Sequence, residues 1–210
     1  MAHTPKHRGD WWEELRNHQI ALWALAFTIM GCNLPLAQLT LPSSVWVEKA
    51  LYDGYLIMSV WLLWRHCSVG KPTCWAGLDA LLMIYILVPL CQLTLRLPRP
   101  NTSPIEILYG FPSGHAVAVF ALAWLIHLSR PALSVPWFGL ATIVALSRVA
   151  SQYHHGYQVA AGAVIGLLLG WWLSGRPVEK MVSLHLWKLL SAKFPKRRNH
   201  ASQMKVALPK

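Results

Sequence analysis

Apolar residues along this chain fall into long runs, not the alternation of a half-buried strand or the narrow stripe of a soluble surface helix. The runs cover about Ile20 to Leu39, Leu51 to Trp64 (with a start as early as Val45), Trp75 to Leu95, Ser113 to Leu128, Val135 to Ser147 and Tyr157 to Leu173. Several approach the roughly 20 residues that a helix needs to cross a bilayer. The pattern predicts an all-α fold, a bundle of six transmembrane helices over residues 19–175. A cytoplasmic segment, 1–18, precedes it and a basic cytoplasmic tail, 176–210, follows. Pro89 is expected to kink the third helix, and Gly31 with Pro35 to weaken the first. Within the tail, Val182, His185, Leu186, Leu189 and Leu190 fall near one face, with Lys180, Lys188 and Lys193 among the others. That stretch predicts an interfacial helix over 181–194.

Composition strengthens the membrane reading. Of 210 residues, 55% are hydrophobic and only 13% charged, too few charges to cover a soluble protein of this size. The net charge of +11 does not imply nucleic acid, because no aromatic-basic binding motif accompanies it. Its distribution instead gives an orientation. With the N-terminus inside, 15 of the 19 Lys and Arg residues lie on the inner side, and Lys49, Arg96, Arg99 and Arg148 lie outside. The positive-inside rule then puts both termini in the cytoplasm, with Trp11, Trp12, Trp64, Trp75, Trp137, Trp171 and Trp172 near the inner interface. Cys32, Cys67, Cys74 and Cys91 lack zinc-ligand spacing and read as buried free thiols; Cys67 and Cys74 would pair only in an oxidising compartment. The first apolar run is too long for a signal-peptide core.

The candidate chemistry lies where the apolar runs end. Arg99-Pro100 follows the third run, Pro112-Ser113-Gly114-His115 opens the fourth, Ser147-Arg148 closes the fifth and His154 precedes the sixth. In an alternating bundle all four places share one face. Ionisable groups at membrane depth are costly, so such convergence points to function. Arginine forks match phosphate oxygens bidentately, and Gly114 lets the backbone of a helix N-terminus approach an anion. Ser113 caps that helix or donates to a phosphate oxygen. A neutral imidazole attacks phosphorus, and a second, protonated one supplies the proton to the leaving group. Singly, Pro-Ser-Gly is also an ordinary turn and cap, and the arginines are also ordinary snorkelling residues. Together, on one face, they describe phosphoryl transfer through a histidine. The missing carboxylate cluster argues against a Mg²⁺ site, so neither metal nor cofactor is expected.

These residues resemble the type 2 phosphatidic acid phosphatase (lipid phosphate phosphatase) superfamily, which also includes glucose-6-phosphatase and vanadium haloperoxidases. The family pattern is K-x6-R-P, then P-S-G-H, then S-R-x5-H-x3-D. Here the second motif is complete, and the third matches through His154. The likeness covers roughly residues 20 to 175. It implies His154 as nucleophile, His115 as general acid, and Arg99, Ser113, Gly114 and Arg148 as the phosphate cradle. Two positions depart. Gln92 stands at the lysine position and Gln158 at the aspartate position. Arg96, one turn beyond Gln92, is a candidate replacement cation. Gln158 offers an amide oxygen to the ring in place of a carboxylate, and Asp53 or Glu106 are alternative carboxylates. By analogy with a triad aspartate changed to its amide, the penalty is on the order of 10⁴ in rate.

The expectation is a bacterial-type membrane phosphatase of a lipid phosphate or diphosphate, acting at the exoplasmic face of the inner or plasma membrane. Phosphatidic acid, phosphatidylglycerol phosphate and undecaprenyl diphosphate share the headgroup chemistry. The alternatives are a lipid phosphotransferase and a catalytically impaired relative that binds phosphorylated lipid. The expected partners are that substrate and membrane lipid, not nucleic acid, and the sequence carries no signal for oligomeric state. The charge asymmetry makes a direct prediction about sidedness. A Thr102→Cys variant labels with a membrane-impermeant thiol reagent in intact cells, whereas Ser202→Cys labels only after lysis. The reverse pattern would invert the topology.

Overall fold

The computed structural model describes residues 18–33, 45–65, 72–100 and 109–193. Among them the regular structure is helical: α1 (Gln19–Cys32), α2 (Val45–Arg65), α3 (Pro72–Leu95), α4 (Gly114–Ser129), α5 (Ser134–Ala150), α6 (Gly156–Ser174) and α7 (Val182–Lys193). Short 3₁₀ turns, Pro131–Leu133 and Val178–Lys180, lead into α5 and α7. One isolated antiparallel bridge joins Pro98 to Tyr109. The expected all-α class is thus observed. Of the helices, α3, α6 and the segment Pro131–Ala150 are long and apolar enough to cross a membrane, while α1 and α4 are shorter apolar helices.

Helix α2 begins at Val45, the earlier of the two expected starts, and Asp53 sits in its third turn. One local expectation needs correction. Cys74 is disulfide-bonded, not a free thiol, while Cys32 and Cys91 are free; Cys67 lies outside the described residues. Helix α3 continues through Pro89 to Leu95, and α1 stops one residue after Gly31.

Packing is organised around α4. Every residue from Ala116 to His127 is buried, so this helix is enclosed on all sides. A helix apolar all round belongs in the middle of a bundle. Its side chains are mostly alanine and valine near the start, which lets neighbours come close. Helix α6 comes closest, and runs parallel to it. A Cβ on Gly162 would stand 2.7 Å from the Ser113 carbonyl oxygen, one on Gly166 2.4 Å from that of Val117, and one on Gly170 2.9 Å from that of Ala121. Spaced four apart, these glycines form one stripe that lets two backbones approach, the device by which helices associate where lipid removes the hydrophobic drive. The outer helices carry the reverse pattern: Trp23, Phe27, Ile57, Tyr85 and Ile86 are each more than half exposed. Large apolar groups turned outward, with small residues at the closest helix contact, is the arrangement of a protein in lipid.

Buried polar groups are tied across the bundle. Tyr55 donates to the Val119 carbonyl at 2.8 Å and Trp137 Nε1 to Ser59 Oγ at 2.9 Å. Asp79, buried in α3, accepts the Val182 and Ser183 amides at 2.9 and 2.7 Å and so caps α7 against the bundle.

The glycine stripe yields a stability prediction. Gly166→Ala forces a methyl against the Val117 carbonyl and destabilises the detergent-purified protein by about 1–3 kcal/mol, read as a lowered thermal midpoint. Gly139→Ala, inside α5 where a Cβ meets nothing within 4 Å, leaves the midpoint unchanged or raises it. Equal effects at the two sites would refute the close-approach account.

Candidate active site

The end of α3, the start of α4, the end of α5 and the start of α6 meet at one end of the bundle. The parallel α4–α6 pair sets this up, because both helices start there. Backbone bonds finish it: the Ser113 amide donates to the Gln158 carbonyl at 3.0 Å, and the Gly110 amide to the Leu97 carbonyl at 2.8 Å. After α5 the chain folds back on itself, with the Tyr153 and His154 amides both donating to the Arg148 carbonyl at 3.1 Å. Residues separated by tens of positions are thereby gathered around His154.

His154 is buried, 3% exposed, in the turn before α6. Its Nδ1 lies 3.0 Å from the Gly110 carbonyl and 3.2 Å from Gln158 Oε1. A carbonyl only accepts, so Nδ1 carries the proton and Nε2 carries the lone pair. Gln158 has no exposed surface. Its Oε1 also accepts the His155 amide at 3.2 Å, and its Nε2 donates to the Pro98 carbonyl at 2.9 Å and reaches the Tyr157 hydroxyl at 3.3 Å. The backbone partners fix which end of the amide is oxygen. An aspartate, one methylene shorter and without donors, would not reproduce the bond to Pro98. Gln158 is therefore fitted to its neighbours, and it occupies the ring-orienting place.

Gly110 makes this contact feasible. A Cβ there would stand 2.6 Å from Gln158 Oε1 and 2.8 Å from Arg99 Cγ. Arg99 is half-buried, its Nε donating to the Tyr109 carbonyl at 3.1 Å across the bridged strap. Burial lowers its pKa from the usual guanidinium value. Ser113 is fully buried at the mouth of α4, and its hydroxyl has no hydrogen-bond partner. Such an orphan is costly unless something binding there supplies the bond. Gly114 follows as the first residue of α4. Arg148 lays its guanidinium over the Tyr153 ring, 4.4 Å from the centroid. His115 is half-buried with its ring 4.0 Å from that of Tyr52, and it lies within electrostatic range of Arg148, His154 and Arg99.

The two remaining candidates stand differently. Gln92 donates from Nε2 to the Pro112 carbonyl at 3.2 Å, so it holds the backbone just before Ser113 and adds no charge. Arg96 is exposed, in the left-handed region at φ 51°, with its Nε on the Leu93 carbonyl. It closes α3 through its amide on Gln92 O at 3.0 Å, a position glycine usually fills. Asp53 is half-buried on α2, and Glu106 lies outside the described residues. Gly110, Tyr52, Tyr153 and Tyr157 were not singled out by sequence. Only Tyr153, inside the five-residue gap between Arg148 and His154, carried a positional hint.

Burial pushes the His154 pKa down to about 4, and the Arg99 and Arg148 charges add to this against the upward pull of the Gln158 and Gly110 bonds. The ring is neutral across the physiological range. Among the described residues, no three His, Cys, Asp or Glu side chains gather to hold a metal ion. What the arrangement offers is a neutral imidazole with a fixed tautomer beside arginines, an unsatisfied hydroxyl and a helix N-terminus.

The chain belongs to the PAP2 superfamily, whose model matches residues 73–180. That span takes in Arg99, Ser113, Gly114, His115, Arg148, His154 and Gln158. Among curated relatives, it is 38% identical over 72 residues to the bacitracin transport permease protein BcrC of Bacillus licheniformis, covering 33% of this chain and 36% of that one. It is 37% identical over 72 residues to a lipid A 1-phosphatase of Porphyromonas gingivalis, 31% of this chain and 16% of the relative. A rat glucose-6-phosphatase 3 matches at 38% over 91 residues, 36% of this chain and 26% of the relative. The matched segments thus span between 16% and 36% of these three relatives, and no solved structure matches significantly. Family and apolar helices together make this a membrane protein.

The charge environment of His154 is testable directly. In protein labelled at histidine, its imidazole titrates near 4 by NMR. Arg99→Gln removes a repelling charge and moves the transition up, though burial keeps it below the ordinary 6.5. Gln158→Leu removes a bond that favours the imidazolium and moves it down. A shift of the opposite sign in either variant would contradict the geometry.

Proposed function

We propose that this protein is a membrane-embedded phosphatase that removes a phosphoryl group from a lipid phosphate or diphosphate through a phosphohistidine at His154. The observation that carries the reading is the pinning of His154 Nδ1 by Gly110 and Gln158, which leaves the Nε2 lone pair for phosphorus. In the first step Nε2 attacks, the bond from phosphorus to the leaving oxygen breaks, and His115 gives that oxygen a proton. In the second, His115 takes a proton from water, the water oxygen attacks the phosphohistidine, and inorganic phosphate leaves with His154 regenerated. Arg99 and Arg148 balance the phosphoryl charge, while Ser113 and the first amides of α4 bond its oxygens. The mechanism calls on no metal.

A lipid substrate is supported by the position of the site at the ends of apolar helices and by the lipid A 1-phosphatase among the relatives. Phosphatidic acid, phosphatidylglycerol phosphate and undecaprenyl diphosphate are the classes to test. Given six spans, the charge asymmetry supports cytoplasmic termini and an exoplasmic site, while the Cys74 disulfide, at the end of α3 opposite Arg99, weighs against a cytoplasmic α2–α3 loop. Gln158 distinguishes a working enzyme from an impaired relative that only binds. Its amide oxygen lies on the ring nitrogen, which favours the enzyme, with turnover lowered by the missing charge.

The test is phosphate release from these lipids by purified protein with EDTA present. Wild-type protein turns over in chelator and leaves an acid-labile, base-stable phosphoenzyme. His154→Ala abolishes both, and His115→Ala slows poor leaving groups most, by about 10²–10⁴. Gln158→Ala lowers kcat further. Binding without turnover in wild type, rescued by Gln158→Asp, would establish the impaired binder. Loss of activity in EDTA restored by Mg²⁺, or full activity in His154→Ala, would overturn the mechanism.

A further inference from the structure

The end of the bundle opposite His154 holds a cavity of about 580 Å³ that the phosphatase reading does not use. Its walls come from the start of α1, the last turn of α4, the end of α6 and the turn that follows. His18, Trp124, Trp171, Trp172, Arg176 and Lys180 line it. Trp124 stands ten residues beyond Gly114, about 15 Å along the α4 axis at the rise of an α-helix, so the two sites are separate.

Three features give this cavity a chemistry. First, its charge among the described residues is positive: Arg176 and Lys180 line it, and no described carboxylate does. Second, Arg176 is held in place, its guanidinium 4.3 Å from the centroid of the Trp172 ring. Third, Trp124 is 7% exposed, and its buried indole Nε1 has no hydrogen-bond partner. An indole N–H donates only, so it awaits an acceptor. Beside it, His18 packs on the Trp124 ring at 4.5 Å and bonds His127 Nε2 from Nδ1 at 2.9 Å. His127 is fixed in turn by Ser134 Oγ at 2.7 Å. This buried chain anchors the start of α1 over the cavity. At the rim, Trp171 and Trp172 are about half exposed, as indoles are at the headgroup level of a membrane.

We infer that this cavity binds the phosphate of an anionic lipid headgroup, taken from the leaflet opposite the His154 site. Arg176 and Lys180 face the phosphate oxygens, the Trp124 N–H donates to one of them, and the Trp171–Trp172 rim holds the acyl side. The size suits one headgroup. A bound lipid here would join α1, α4 and α6 at the end where they have no backbone strap.

The test is native mass spectrometry of the full chain in detergent, titrated with phosphatidylglycerol, with phosphatidylcholine as the uncharged comparison. Wild type retains phosphatidylglycerol in preference. Arg176→Gln with Lys180→Gln weakens retention about tenfold or more, whereas Lys49→Gln, an exposed cation near the start of α2 at the other end, leaves it unchanged. Should the double variant misfold, Trp124→Phe carries the test: it keeps a ring, loses the donor and weakens retention about threefold. Retention lost in Lys49→Gln but kept in the double variant would overturn the inference. So would equal retention of phosphatidylcholine, and so would displacement of the lipid by millimolar inorganic phosphate, which would make the cavity a site for the free anion.

Discussion

The close approach of two parallel helices, α4 and α6, is the constraint on which the rest of this molecule depends. Gly162, Gly166 and Gly170 leave no side chain between the α6 backbone and the carbonyls of Ser113, Val117 and Ala121. Both helices begin at the same end, so the approach places Ser113 and His115 opposite the segment that carries His154 and Gln158. The Ser113 amide bonds the Gln158 carbonyl at the point where the two helix starts touch. Were the helices held apart by ordinary side chains, the widening of a few ångströms would separate Ser113 and His115 from His154.

Gln158 turns that approach into a site. A single buried amide joins the strap at Pro98, the ring of His154 and the first turn of α6. A carboxylate in the same place would hold the ring with full charge but would set oxygen against the Pro98 carbonyl. The strap around Gly110 and Gln158 thus belong together, and a glycine at 110 is required because the amide oxygen fills the space of a Cβ. The Gln158 amide and the Gly110 carbonyl together hold the His154 ring.

The two ends of the bundle use the same materials for different ends. At the His154 end, Arg99 and Arg148 lie within electrostatic range of His154, and the start of α4 carries an unsatisfied hydroxyl. At the other, Arg176 and Lys180 face an unsatisfied indole, and a His18–His127–Ser134 chain does the stapling that backbone bonds do around His154. In each case an orphaned donor is the mark of a place that packing has left for something else to fill.

The sequence by itself determined the helical class, the positions of the helices to within a few residues outside α1, and the candidate residues that the fold then gathers around His154. Each of these is a local property: apolar run length fixes a helix that must satisfy its own backbone bonds in lipid, and the Pro-Ser-Gly-His and Ser-Arg spacings can be read directly along the chain. It also pointed to the convergence of the clusters, since alternate crossings put every second helix end on one face. Only the tertiary structure decided how each group is used. Arg96 and Gln92 are equally near Arg99 in sequence, yet one closes α3 at the exposed surface and the other holds the Pro112 carbonyl. Gly110 and Tyr52 had no signal at all, because their importance rests on what stands opposite them. The second cavity was illegible for the same reason: His18, Trp124 and Arg176 are far apart along the chain, and only the packing of α1 and α6 on α4 brings them to one wall.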